Sequence, residues 1–551
     1  MVAASFATSP FNLDSAALDW VEKAFARLSP DERLAQLFVL RSGLDRPGFE
    51  RMLQFKPGGM TAVFGADPDA ELRNIAELVA ASVVPPSISA DLEGSRMSIG
   101  TPVINPLGLA ALNDVAATAE VSRIMAEEAT AAGINWSFTP VLDVAHAFRS
   151  AIVGTRGFGS DVAAIERHAL KQIEVFQSQG IAATVKHWPG EGFDDRDQHL
   201  VTTVNPLSLD EWEATFGKLY RAAIRAGVMS VMSAHIALPA FVRSLDPGAR
   251  IDAFRPASLS GALNVELLRN RLGFNGLIVS DATGMAGFGA WSARDDAIPQ
   301  VLRAGCDVIL FSHDPEADVA AIKAALKRGD LDQQRLDEAT LRVLAFKAAI
   351  GLHRPAQPRD RSLVRGSIAN RQVADRITAR VPTLVKDTQK LLPLDPKKHR
   401  RVLVVTPGIV MPFLKEPLPF ALPKMLEGEG FAVTMHEPGA PIIPEKHDLV
   451  LYLFGDETLL TRSRIYIDWL KLSGGDVIKA MERTWHDIPT AMISFGYPYL
   501  LYDAPRVPTY INAYSTLESV QRAVLECLVG RAEWNRHNPV DPFCGLEDAR
   551  Y

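Results

Sequence analysis

Short apolar runs rich in Val, Ile, Phe and Met recur along the first part of the chain. They fall at Leu34–Leu40, Met60–Phe64, Ser87–Ala90, Trp136–Val144, Ile181–Val185, Val228–Met232, Gly276–Val279 and Val308–Phe311. Between most of them lie stretches with apolar positions at helical spacing: Asp69–Ser82, Leu112–Ala132, Val162–Gln179, Leu209–Ala226, Leu259–Arg271 and Ala293–Ala304. An earlier helical pattern begins at Ala16. Strands that alternate with helices imply parallel pairing, because each return to a parallel neighbour needs a crossover. Eight such units over roughly 300 residues predict a (β/α)8, TIM-like barrel. An open doubly wound sheet is the competing pattern. That fold more often carries a Gly-rich phosphate loop after its first strand, and Arg41-Ser42-Gly43-Leu44 is not one.

Residues 1–350 are assigned to the barrel, 351–385 to a linker and 386–551 to a second domain. Leu336–Ala349 is helical, Arg354–Leu363 is rich in Pro and Arg, Val373–Arg380 resumes a helix, and Thr383–Lys386 is a candidate strand. Five further strands are expected at Arg401–Thr406, Phe431–Met435, Asp448–Phe454, Pro489–Phe495 and Thr509–Asn512, with helices near Ile467–Trp485 and Thr516–Gly530. That pattern predicts an α/β/α sandwich. Trp534 to Tyr551 gives no firm pattern.

Composition narrows the function. At 551 residues the chain needs more than one domain, and 47% hydrophobic with 22% charged residues is a globular balance. A net charge of −7 argues against nucleic acid or an anionic membrane as the main partner. Three scattered cysteines, Cys306, Cys527 and Cys544, suit neither a disulfide framework nor a zinc site. Met1 to Asp19 has no positive side chain and no long apolar core, and no apolar run is long enough to span a bilayer, so a cytoplasmic location is expected.

In a barrel of this kind the strand C-terminal ends form the active face. Those ends carry Asp91 to Arg96, Gly154 to Gly159, Lys186-His187, Ser233-Ala234-His235 and Ser280 to Met285. Asp281 stands out. A carboxylate at the end of an apolar strand costs free energy unless it is hydrogen-bonded or used, although capping the next helix is the simpler role. Asp197 and His199, two apart in an extended loop, can face the same way. A carboxylate on one imidazole nitrogen fixes the tautomer and makes the other nitrogen more basic, which suits general acid/base work. Lys186, His187, Arg156, Asp91 and Arg96 suit the directional hydrogen bonds that sugar hydroxyls accept and donate, and rim salt bridges are the alternative for one or two of them. Neither a P-loop nor a dinucleotide fingerprint is present. His187, His199, Asp197 and Glu191 have no recognised zinc spacing.

These segments carry a resemblance. Asp91-Leu92-Glu93-Gly94-Ser95-Arg96, Arg156-Gly157-Phe158-Gly159, Lys186-His187-Trp188-Pro189-Gly190, Asp197-Gln198-His199 and Leu272 to Asp281 resemble the motif series of glycoside hydrolase family 3. More narrowly they are similar to its β-N-acetylhexosaminidase branch, and Thr383–Leu394 resembles the entry to the family's second α/β domain. The resemblance implies a retaining mechanism on a β-linked carbohydrate. Asp281 would be the nucleophile. His199, paired with Asp197, would protonate the leaving oxygen and then activate water. Asp91, Arg156, Lys186 and His187 would bind the glycone hydroxyls, with Arg96 and Met285 beside them and His235 shaping the pocket. No metal and no organic cofactor is required.

The departures leave the substrate open. Trp188 stands where the branch has Phe. Glu191 replaces the loop's second His, and a carboxylate there could raise the His199 pKa. Ser95 replaces a Gly, and Phe193-Asp194-Asp195-Arg196 is more charged than the usual loop. The implied activity is exo-β-N-acetylglucosaminidase. A β-N-acetylglucosaminide phosphorylase, a β-glucosidase and a sugar-binding barrel without catalysis are the alternatives. The second domain could complete the pocket, hold a homodimer or only stabilise the chain.

Overall fold

Each of the eight apolar runs contributes one strand to a closed barrel. They are β1 Phe38–Arg41, β2 Gly59–Thr61, β3 Ser87–Ala90, β4 Trp136–Ser137, β5 Ala182–Trp188, β6 Ser230–Ser233, β7 Leu277–Ala282 and β8 Val308–Leu310. Neighbours in sequence pair in parallel, and β8 closes on β1 through Phe38↔Ile309. The computed structural model describes residues 5–43, 45–64, 67–355, 359–412 and 414–551. Leu44 of the turn after β1 and residues 356–358 of the Pro- and Arg-rich stretch lie outside the described residues.

Parallel strands covered on both faces read as continuous apolar runs, and every residue of β5 is buried. Inside the barrel the Trp136 indole N–H donates to Thr184 Oγ1 at 2.7 Å and Ser230 Oγ at 3.0 Å. Those bonds satisfy polar groups that would otherwise be costly to bury.

The boundaries differ from the sequence expectation in informative ways. Leu34 lies in the helix Pro30–Ala35, not in β1, because Ser29 and Glu32 form a capping box and Pro30 opens the helix. β4 stops at Ser137 rather than Val144. Pro140 has no N–H to give a ladder, and only Val141 returns to bridge Lys186. β5 and β7 run further than expected, so Lys186, His187 and Asp281 sit on strands and not on the loops after them.

The second domain is a mixed sheet. Its six main strands are β9 Thr383–Asp387, β10 Arg401–Val405, β11 Ala432–Met435, β12 Leu449–Asp456, β13 Thr490–Ser494 and β14 Thr509–Asn512, in the order β9-β14-β13-β12-β10-β11, and a short seventh, Ile409–Val410, pairs in parallel with the end of β12. β9 is antiparallel to β14 and the other pairs are parallel. The helix expected over Ile467–Trp485 is two short ones, Trp469–Leu472 and Val477–Met481. Gly474 and Gly475, both at positive φ, end the first. The helix Ile368–Thr378 packs on Val115–Ala132 of the barrel and on Glu518–Leu528 of the second domain. The C-terminal stretch is also bound between the two: Asn535 accepts from Leu384 N–H and donates to Ala111 O. No helix among the described residues is long and apolar enough to cross a membrane.

Candidate active site

The rim at the C-terminal ends of β3, β4, β5 and β7 gathers most of the singled-out residues. Lys186, on β5, is almost fully buried. Its ammonium lies 2.7 Å from Asp91 Oδ1 and 2.8 Å from Glu93 Oε1. Glu93 also takes two parallel bonds from Arg156, 2.9 Å from Nε and 3.0 Å from Nη2. This fork is the strongest geometry available to a guanidinium and a carboxylate. Burial alone would push the Lys186 pKa down; Asp91 and Glu93 reverse that and leave it raised. Burial likewise raises Glu93, but Arg156 and Lys186 pull it well below its ordinary value. Two cations are thus shared by two carboxylates.

His187 follows on the same strand. Its Nδ1 is 2.6 Å from Asp143 Oδ2, and its backbone N–H donates to Asp143 Oδ1 at 3.0 Å. Burial raises the Asp143 pKa, yet His187 more than offsets it and the carboxyl stays below its usual range. An ionised Asp143 only accepts, so Nδ1 carries the hydrogen. Nε2 lies 3.4 Å from Arg156 Nη2.

The loop after β5 turns sharply to reach the dyad. At Gly192, φ is 113°, and a Cβ would lie 1.9 Å from Val144 O. No side chain fits there. Trp188 is fully buried against Trp212 and Tyr220, with ring centroids 5.8 and 4.8 Å away. That pocket explains how the larger ring replaces Phe.

Asp197 Oδ1 accepts from His199 Nδ1 at 2.6 Å and from the His199 N–H at 2.8 Å. Its Oδ2 accepts the Thr461 N–H, from the second domain, at 2.9 Å. Burial raises the Asp197 pKa; the His199 and Thr461 bonds outweigh that, and it falls below its usual value. The dyad is also tied to the short helix that follows the strand carrying Asp281. The His199 carbonyl accepts from Ala286 N–H at 3.0 Å, and a Cβ on Gly287 would lie 2.3 Å from Gln198 O.

Asp281 ends β7 beside β6, where Ser280 pairs with Ser233. Its Oδ1 accepts its neighbour's N–H, from Ala282, at 2.7 Å. Burial favours the neutral acid, but His235, His187 and His199 lie close enough to lower the pKa below the ordinary Asp value. His235 donates from Nε2 to Ala282 O at 3.0 Å and bonds Ser258 through Nδ1 at 2.9 Å. It braces the strand end that holds Asp281. Met285 is buried in the turn after Ala282.

Two expectations change. Arg96 is turned away from the cluster: its guanidinium donates to Thr516 Oγ1 of the second domain at 2.6 and 2.9 Å. Glu191 does not reach the His199 ring. Its Oε2 accepts from Gln198 Nε2 at 3.0 Å, Oε1 is buried without a partner, and His187 Nδ1 is 3.8 Å away. Burial and the nearby Asp143 raise its pKa far above the carboxylate range, so it is a neutral acid. Asp143, Glu93 and Gln198 were not singled out from sequence. Asp143 lay inside an expected strand, and Glu93 inside a quoted motif with no role given it.

One group could hold a cation among the described residues: Asp143, His187 and Glu191, whose ligand atoms lie within 4.8 Å of one another. A metal would have to displace the hydrogen between His187 and Asp143. The donor set therefore suits a proton better than an ion.

Residues 67–346 match the family model described as the glycosyl hydrolase family 3 N terminal domain. The chain is 38% identical to a "Beta-N-acetylglucosaminidase/beta-glucosidase" of Cellulomonas fimi, over 98% of both chains. Among solved structures it is similar to "Beta-glucoside phosphorylase BglX", with a TM-score of 0.92 and 33% identity over all of both chains. It is also similar to a family 3 β-N-acetylglucosaminidase from Paenibacillus, with a TM-score of 0.79 and 25% identity over 94% of this chain and all of that one. With the barrel, the rim and this match together, the chain belongs to glycoside hydrolase family 3 and is a glycoside hydrolase.

Proposed function

We propose that the chain is a retaining exo-β-glycosidase that removes terminal N-acetylglucosamine from chitin- or peptidoglycan-derived fragments. The observation that carries this reading is the Asp197–His199 pair at 2.6 Å, tied to the segment that follows the strand bearing Asp281. Asp281 attacks the anomeric carbon as the glycosidic C–O bond breaks, and the protonated His199 gives its Nε2 hydrogen to the leaving oxygen. Water then attacks the same carbon, its proton returns to Nε2, and Asp281 is released. Two inversions retain the configuration. Asp197 holds the imidazole and stabilises its cationic form. Asp91, Lys186, Arg156 and His187 bind the glycone hydroxyls.

Comparing aryl β-N-acetylglucosaminide with aryl β-glucoside tests the glycone. Preference for the amino sugar supports the reading, and exclusive turnover of the glucoside removes it.

A second reading has phosphate replace water. A neutral imidazole acting as base does not repel a phosphate anion as a carboxylate would, and a solved structure similar over the whole chain is a β-glucoside phosphorylase. Product analysis in phosphate buffer separates the two: sugar 1-phosphate favours the phosphorylase, and free sugar alone favours hydrolysis.

A further inference from the structure

The segment Glu457 to Thr461 follows β12 directly and crosses the barrel rim. Glu457 Oε1 accepts from Ser95 Oγ, beyond β3, at 2.9 Å, and from Thr516 N–H and Oγ1 of its own domain at 2.8 and 2.7 Å. Thr458 Oγ1 lies 3.2 Å from Thr155 Oγ1, and Leu459 N–H donates to Ala151 O at 3.0 Å, both beyond β4. The segment ends on the loop beyond β5, where Thr461 N–H meets Asp197 Oδ2 at 2.9 Å.

Thr461 has φ of 60°. A β-branched residue enters that left-handed region only when its surroundings hold it there. Such outliers concentrate where a local geometry is needed for function. The neighbouring contacts hold this one, and its N–H meets the one Asp197 oxygen that His199 leaves free. With both oxygens bound, the carboxylate plane cannot turn, and Oδ1 stays on His199 Nδ1.

We propose that Thr461 is a positioning residue for the acid/base pair: the second domain completes the dyad by fixing Asp197 through a backbone N–H. The inference rests on the reading of Asp197 and His199 as the acid/base pair. It gives the second domain a specific task on the barrel's chemistry and makes the barrel's proton-transfer group incomplete without it.

A positioning role and a merely structural one differ in leaving-group dependence. A poor leaving group needs the proton and an activated one does not. The test replaces the Thr461 amide by an ester in the full-length enzyme, through incorporation of the α-hydroxy analogue of threonine, which removes only the N–H. kcat/KM is measured on alkyl and dinitrophenyl β-N-acetylglucosaminides. The alkyl substrate should lose about tenfold to a hundredfold, the size expected for one hydrogen bond to an ion, and the dinitrophenyl substrate less than about twofold. Glu457→Ala, which frees the segment from Ser95, should show the same selective loss as the ester if the ester protein does not fold. His199→Ala is run in parallel. A selective loss in His199→Ala with an equal loss, or none, on the two substrates in the ester or Glu457→Ala overturns the inference and leaves the proposed mechanism standing. No selective loss in His199→Ala removes the acid/base assignment and the inference with it.

Discussion

Asp197 and His199 stand two positions apart and are joined twice through one oxygen: Oδ1 accepts the imidazole hydrogen at 2.6 Å and the His199 backbone N–H at 2.8 Å. The backbone bond fixes the carboxylate against its own loop, and the side-chain bond fixes the ring against the carboxylate. Asp197→Asn keeps the shape but offers a neutral partner that cannot stabilise the imidazolium. We expect kcat/KM on substrates with poor leaving groups to fall by about 10²–10⁴-fold. The alkaline limb of the pH–rate profile, where the acid loses the proton it must donate, should move as well. Equal losses on poor and activated leaving groups would count against proton transfer through this pair.

Glu93 holds two buried cations at once, Lys186 at 2.8 Å and Arg156 at 2.9 Å. Its side chain is 11% exposed, against 2% and 15% for the partners. Removing one member of so buried a cluster leaves charge without compensation. Glu93→Ala is expected to destabilise the protein by about 3–5 kcal/mol, read from the urea midpoint. The glycone should also bind more weakly, because Lys186 and Arg156 lose their common anchor.

Glu191 predicts a pH effect of a definite sign. Its folded-state pKa is raised far above the ordinary value by burial and by Asp143. The folded chain therefore holds a proton that the unfolded chain releases above about pH 4.3. Stability falls as pH rises from there toward the folded value. Glu191→Gln removes that titration and keeps the shape of the neutral acid. Its melting temperature should exceed the native one at neutral pH and converge with it in acid, with activity largely retained. A variant less stable at every pH would show that Glu191 is ionised.

Gly192 is expected to tolerate nothing larger. Gly192→Ala places a Cβ 1.9 Å from Val144 O at a φ of 113°, so the loop between β5 and the dyad must move. Activity should drop with little loss of global stability, since the displaced loop is at the rim; unchanged kcat/KM would show that the dyad does not depend on this turn.

Most of the fold was legible because the barrel repeats one local pattern. An apolar strand recurs eight times, most are followed by an amphipathic helix and five by a polar end, and each can be read from a few residues. The placement of Asp281, Lys186 and His187 on the rim was legible for the same reason: charge at the end of an apolar run has few structural uses. What was missed depends on distance in sequence. Arg96 looked like a ligand-binding residue because its partner, Thr516, lies 420 positions away. Thr461 could not be seen at all, since only its backbone meets Asp197, and every non-proline residue offers the same N–H. Asp143 was hidden within an apolar stretch that Pro140 stops from being a strand. Glu191 was seen as an extra carboxylate, but its neutral state follows from a burial that no local pattern reports.

The proposed mechanism requires Asp281 to form the bond to sugar. The most direct measurement is incubation with a mechanism-based fluorosugar, followed by digestion and mass mapping of the labelled peptide. One glycosyl group per chain on Asp281, with inactivation in step with labelling and none in Asp281→Ala, is the predicted result. Label on any other residue, or near-native turnover of an aryl β-N-acetylglucosaminide by Asp281→Ala, would contradict it.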